Sequence, residues 1–185
     1  PSRHSYIAGP SLRKRVVFSI RQIQPDDAQQ YFELRAASER EFPEFVGING
    51  ERELLAGDKS IRAVLANYPD EGTVAFGAFK GQSLAAIACV SCKKSPKYRH
   101  KGFLWGMYVR DRNRGQKLGD LLMQHIVQWA RSQKLLALQL QVTTTNVAAE
   151  RLYMKHGFST YGTERKSLCA NGTFYHVHLM ELSLT

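Results

Sequence analysis

A chain of 185 residues has the length of one large domain or two very small ones, and it can bury roughly 70% of its unfolded surface without disulfide or metal staples. Hydrophobic residues at 43% and charged residues at 23% exclude wholesale disorder, and no run approaches the ~18 apolar residues of a membrane-spanning helix. Lys and Arg number 26 against 16 Asp and Glu, a net charge of +10 that calls for a polyanionic partner: nucleic acid, an anionic membrane surface or a phosphorylated small molecule.

In chain order, residues 1–14 are basic, turn-rich and aperiodic, and are read as a tail. The chain starts at Pro1 with no charged-then-apolar leader, so no signal peptide is expected. Three cysteines, an odd number, cannot build a disulfide framework and point to a reducing cytoplasm. Residues 16–23 mix β-branched and polar types, as a strand does. Pro25, Asp26 and Asp27 then open a helix, with proline in the first turn and acids at the positive end of the dipole. Phe42-Pro43 stops it, and a second helix is expected over 60–68. Strands at 73–79 and 83–91 flank the turn at Lys80-Gly81-Gln82 as a hairpin. Residues 103–109 form another strand.

The strongest helix follows, with Leu118, Leu121, Leu122, His125, Ile126, Trp129 and Ala130 spaced on one face. Residues 136–142 alternate as a strand. Asn146 suits a cap for a short helix ending at Gly157. Residues 159–164 and 173–184 close the chain as two strands around Asn171-Gly172. The expected order is β-α-α-β-β-β-α-β-α-β-β. It implies a mixed α/β sheet with antiparallel and parallel pairing and helices on both faces.

The chemistry centres on Tyr108 to Asp120 (YVRDRNRGQKLGD). An apolar strand enters a basic, glycine-containing loop that opens into the best helix. A helix start has unpaired N–H groups and partial positive charge. Glycines let a phosphate approach the backbone, and Arg110, Arg112, Arg114 and Lys117 surround it with charge. The pattern reads as a pyrophosphate site or, alone, as a solvated basic turn. It is neither a P-loop nor a dinucleotide fingerprint.

A second motif lies at 146–158 (NVAAERLYMKHGF). Together the two resemble the GNAT superfamily of acyl-CoA-dependent N-acyltransferases. The first is similar to its R/Q-x-x-G-x-G/A loop, with Arg114 and Gly119 at the outer positions. The second carries its N-x-x-A-x-x-L-Y-x-x-x-G-F pattern through Asn146, Ala149, Leu152, Tyr153, Gly157 and Phe158. The resemblance covers roughly residues 16–185. It departs at Lys117, where the family has a glycine.

The resemblance implies a single N-acetyltransferase domain over 15–185: a mixed, mainly antiparallel sheet of six to seven strands, with the fourth and fifth splayed around acetyl-CoA. It implies that Met107, Tyr108 and Val109 pair with the pantetheine arm, and that the amides of Arg114, Gly115, Gln116, Lys117, Leu118, Gly119 and Asp120 hold the pyrophosphate. Asn146 and Ala149 would meet the cofactor arm. Tyr153 would protonate the departing thiolate as general acid, or else serve as a core aromatic.

Histone-type members place a glutamate about eleven positions before the loop arginine, where this chain has Phe103. His100 and Glu44 are the candidate bases by type, each with a plainer reading as surface charge. The expected partner is an amine acceptor of unassigned identity. No metal, membrane or nucleic acid is expected, and a homodimer is open. The alternative functions are a non-catalytic acyl-CoA-binding regulatory module and a basic nucleic-acid-binding protein. Lone Cys89-x-x-Cys92 lies on an expected strand, facing opposite sides.

Overall fold

The computed structural model describes residues 17–45 and 47–185. The 1–14 tail and Val16 lie outside them. One seven-stranded sheet runs in the order β1-β2-β3-β4-β5-β7-β6: β1 (Ser19–Gln22), β2 (Thr73–Lys80), β3 (Ser83–Cys92), β4 (Lys101–Val109), β5 (Ala137–Thr143), β6 (Ser159–Ala170) and β7 (Thr173–Ser183). Among the described residues only β4 and β5 pair in parallel; the other neighbours are antiparallel.

Two apolar clusters sandwich the sheet. On one face α1 (Ala28–Glu41) and α3 (Asp58–Glu71) bury Tyr31, Leu34, Ile61 and Leu65 against Ile87 and Cys89. On the other, α4 (Leu118–Ser132) buries Leu118, Leu122, Met123 and Ile126 against Phe76, Leu104 and Leu138, with Tyr153 of α5 (Val147–Lys155) in the same cluster. Cys89 and Cys92 pack on these opposite faces, as strand alternation requires. All three cysteines are free thiols.

Three local expectations change. A helix absent from the sequence reading, α2 (Ile48–Ala56), precedes α3, and α3 is longer than 60–68. Helix α2 lacks an apolar stripe: its Leu55 is exposed, whereas Glu53 is buried. It docks through an ion pair from Glu53 to Arg35 of α1 at 2.6 Å, which leaves no hydrophobic period to read. Strand β1 is shorter than 16–23, and β6 runs six residues past the expected end at 164. As an edge strand with mostly exposed side chains, β6 shows little burial pattern. In α4, Met123 rather than Leu121 completes the buried face.

The ladder between β4 and β5 covers only Lys101↔Ala137 to Leu104↔Leu140. Beyond Leu104 the two strands part, and this opening positions the site. Past Val109 the chain makes a 3-10 turn, Asp111–Asn113, and enters α4 at the wide end of the gap.

Candidate functional site

The loop between β4 and α4 leaves its backbone donors open. Arg114 N–H is taken by the Asp111 carbonyl at 2.9 Å, and the next paired amide is Leu121 N–H, donating to Lys117 at 3.0 Å. Among the described residues, the amides of 115–120 donate to nothing. The sequence expectation placed Arg114 N–H in the cradle too; its bond to Asp111 moves the first open amide to Gly115. These donors border a depression of about 340 Å³ lined by Val109, Asn113, Gly115, Lys117, Gly119 and Leu152, among others. A run of unpaired N–H groups at the positive end of a 15-residue helix offers hydrogen-bond donors and partial positive charge to an anion.

Lys117 explains how the loop holds its shape without the family's central glycine. Its φ is 59° and its ψ 24°, the left-handed conformation. The position needs a backbone that glycine adopts freely and lysine adopts at a cost of roughly 1–2 kcal/mol. Gly119 has a different reason. A Cβ there would lie 3.0 Å from Leu152 Cδ2 of α5, so its missing side chain lets the two helices close on each other.

The cations of the loop divide. Arg110 points to Glu33 at 3.7 Å, and Arg114 donates to Asp111 at 2.9 Å and to Glu41 at the last turn of α1. The Arg114 guanidinium also sits 5.2 Å from the Phe42 ring centre and 5.6 Å from that of Tyr108. Tyr108 donates its hydroxyl to the same Glu41 at 2.7 Å. Burial, helped by this carboxylate, pushes the Tyr108 phenol up to about 12, and the Arg114 hydrogen bond holds the Glu41 carboxyl below its ordinary range. Arg112 and Lys117 form no ion pair among the described residues.

Helix α5 forms the other wall. Asn146 Oδ1 accepts from Ala149 N–H at 3.2 Å and caps it. Asp120, in the first turn of α4, accepts from Lys155 Nζ at 2.7 Å and lies 3.0 Å from His156 Nε2, which ties the two helices together. The Tyr153 ring leans on Phe158 with centroids 5.9 Å apart. Burial raises its phenol to about 12. Its hydroxyl has no hydrogen-bond partner among the described residues.

The sequence profile of the acetyltransferase (GNAT) family matches residues 31–158, more than half of the chain. The chain belongs to that family. Among curated proteins none matches it. A GNAT-family acetyltransferase from Streptococcus pneumoniae is 26% identical, with a TM-score of 0.78 over 91% of this chain and all of its own. Two others share the fold at lower identity. A protein from Salmonella typhimurium assigned as an acetyltransferase, solved with its cofactor acetyl-CoA, is 16% identical, with a TM-score of 0.73 over 91% of this chain and 94% of its own. The ribosomal-protein-alanine N-acetyltransferase from Brucella melitensis is 20% identical, with a TM-score of 0.76 over 89% and 99%.

Within this GNAT fold the two candidate bases part company. His100 is exposed at the start of β4. Nine strand residues at ~3.3 Å each put it about 30 Å from the loop along β4, at the closed end of the gap. Glu44 lies in a 3-10 turn, Pro43–Phe45, that packs against β5 and β6 beside the gap. It is half-buried, and its carboxylate has no hydrogen bond among the described residues.

The sequence reading missed two features of the cleft. Gly106 carries a φ of 63° within β4, and its carbonyl accepts from Arg35 Nη1 at 2.6 Å. A Cβ there would meet the guanidinium at 2.3 Å. Arg35 and Glu53, both 3% exposed, thus pin an irregular point of β4 next to the gap. Thr143, at the end of β5, keeps its hydroxyl buried and unpartnered. A glycine inside an apolar strand was the one available signal for the first; nothing local marks the second.

Proposed function

We propose that this GNAT-family chain, with residues 15–185 as one domain, moves the acetyl group of acetyl-CoA onto a primary amine by direct attack. The observation that carries the reading is the run of six open amides at residues 115–120, five of whose residues (all but Gln116) line a depression at the wide end of the β4–β5 gap. Amides without protein partners, with Lys117 lining the same depression, fit a diphosphate. Acetyl-CoA supplies an activated thioester when bound.

The chain's own part is positioning and proton handling. The edges of β4 and β5 past Leu104 and Leu140 are free to pair with an extended ligand. In the reaction the amine nitrogen forms a bond to the thioester carbon, the C–S bond breaks, and one proton moves from nitrogen to sulfur overall. The amine must be neutral to attack, and Glu44 is the carboxylate beside the gap that takes its proton, through water. Tyr153, a neutral phenol throughout the physiological range, meets the departing sulfur as donor. Free thiols at Cys89, Cys92 and Cys169 fit a reducing cytoplasm.

The test is a thermal-shift titration with acetyl-CoA, followed by release of free CoA thiol over a panel of amines. Stabilisation with turnover is expected. Stabilisation without turnover on any amine would leave only a CoA-binding module, and neither effect would end the proposal.

A further inference from the structure

The basic surplus is not gathered at the loop. Residues 72–110 and 121–149 contain no Asp or Glu at all. Two connections from these stretches meet at the narrow end of the sheet, opposite the β4–β5 gap. One is the β3–β4 turn, which carries Lys93, Lys94, Lys97 and Arg99, with Lys101 at the first position of β4. The other is the end of α4 and the turn after it, carrying Arg131 and Lys134. The Leu136 amide donates to the His100 carbonyl at 2.8 Å, and Lys101 pairs with Ala137, so the two turns are joined.

Within the β3–β4 turn, Tyr98 and Arg99 both donate to the Ser95 carbonyl, at 2.9 and 3.0 Å. None of these seven cations forms an ion pair among the described residues. Glu71, at the end of α3, is engaged by Arg52 at 2.9 Å.

A diphosphate at the start of α4 cannot account for this charge. It lies about 30 Å away along β4, some three to four screening lengths at physiological salt, where that length is ~8 Å. Like charges held together without partners repel, and they are compensated when a polyanion neutralises them jointly.

We propose that this pole binds the phosphate backbone of nucleic acid without sequence preference. Two hydrogen-bonded turns space the cations as a surface rather than as an amphipathic membrane helix. Tyr98, 49% exposed with the Lys93 ammonium 5.0 Å from its ring centre, offers an aromatic face for a base.

Fluorescence anisotropy with a labelled RNA of about 20 nucleotides, between about 50 and 200 mM salt, reads it directly. The expected dissociation constant is on the order of 10⁻⁴–10⁻⁶ M at physiological salt, with a log–log salt slope of about −3 to −4 for four to six phosphate contacts. Combining Lys97→Glu, Arg99→Glu and Lys134→Glu should weaken binding by more than about tenfold and flatten the slope. The same charge change at Lys59, Arg165 and Lys166 should leave it nearly intact. If the triple variant melts early, Lys97→Glu alone is expected to cost about threefold. Acetyl-CoA-induced thermal shifts should be alike in all variants, which keeps this test separate from the enzymatic one. Equal losses in the two charge sets, no binding at the lowest salt, or capture by phosphatidylserine vesicles without RNA binding would each overturn the proposal.

Discussion

Glu41 holds Arg114 and Tyr108 at once: its carboxylate accepts from the guanidinium and, at 2.7 Å, from the phenol. Helix α1 is thereby tied to the loop of open amides that leads into α4. The guanidinium faces Glu41 and the aromatic rings instead of the open amides. Glu41→Gln should free that charge for a phosphate and tighten acetyl-CoA binding by about two- to fivefold, read by calorimetry. Because the pair is more than a third exposed, stability should change by less than ~1 kcal/mol. A tenfold weaker affinity would instead make Glu41 the group that orients Arg114 for binding.

Tyr153→Phe removes one oxygen that has no protein partner, so the melting temperature should stay nearly unchanged. If the phenol donates to the leaving sulfur, kcat should fall by roughly 10²–10⁴ with the KM for acetyl-CoA unaffected. An unchanged kcat would return Tyr153 to the role of packing on Phe158.

Lys117 and Gly119 separate conformation from contact. Lys117→Gly relieves a left-handed residue, roughly 1–2 kcal/mol, but adds chain entropy worth ~0.5–1 kcal/mol in the unfolded state. The net should be a slight stabilisation with acetyl-CoA binding retained, whereas Lys117→Val should destabilise. Gly119→Val pushes methyl groups into Leu152 and should cost about 1–3 kcal/mol, weakening acetyl-CoA binding as α4 shifts. Denaturant melts and calorimetry report both.

Glu53 is the buried partner of Arg35. Glu53→Leu leaves the guanidinium buried without its counter-charge and should cost on the order of 3–5 kcal/mol. Since Arg35 also holds the Gly106 carbonyl, surviving protein should show a lower kcat. A loss of less than ~1 kcal/mol by urea unfolding would show that α2 does not depend on this pair.

The pH limits follow from groups shifted in opposite directions. Tyr108 and Tyr153 are pushed up to about 12, while an unfolded tyrosine ionises near pH ~10. Their contribution is complete below that value and lost as pH rises from there towards 12. Asp27, Glu41 and Asp120 are held below their ordinary range by Arg21, Arg114 and Lys155 respectively. Their contribution is complete above the unfolded value of ~4 and lost as pH falls through the lowered folded values. Thermal melts across pH should show a plateau with these two edges.

Much of this protein was legible because its signals are local. The open loop, the α4 stripe, the Asn146 cap and the 146–158 motif each lie within a short stretch, where spacing alone sets which groups share a face or a helix end. So the family, and the element order apart from α2, could be read before any coordinates. Only tertiary structure decided the rest. Helix α2 exists through a buried Glu53–Arg35 pair 18 residues apart, which has no hydrophobic period. Glu41 and Arg114 meet across 73 residues of chain. His100 lies at the closed end of the gap, the length of β4 away from the loop. The two basic turns became one surface because β4 and β5 start side by side. Pairings across such separations depend on how the sheet is ordered, and short-range patterning carries no record of that.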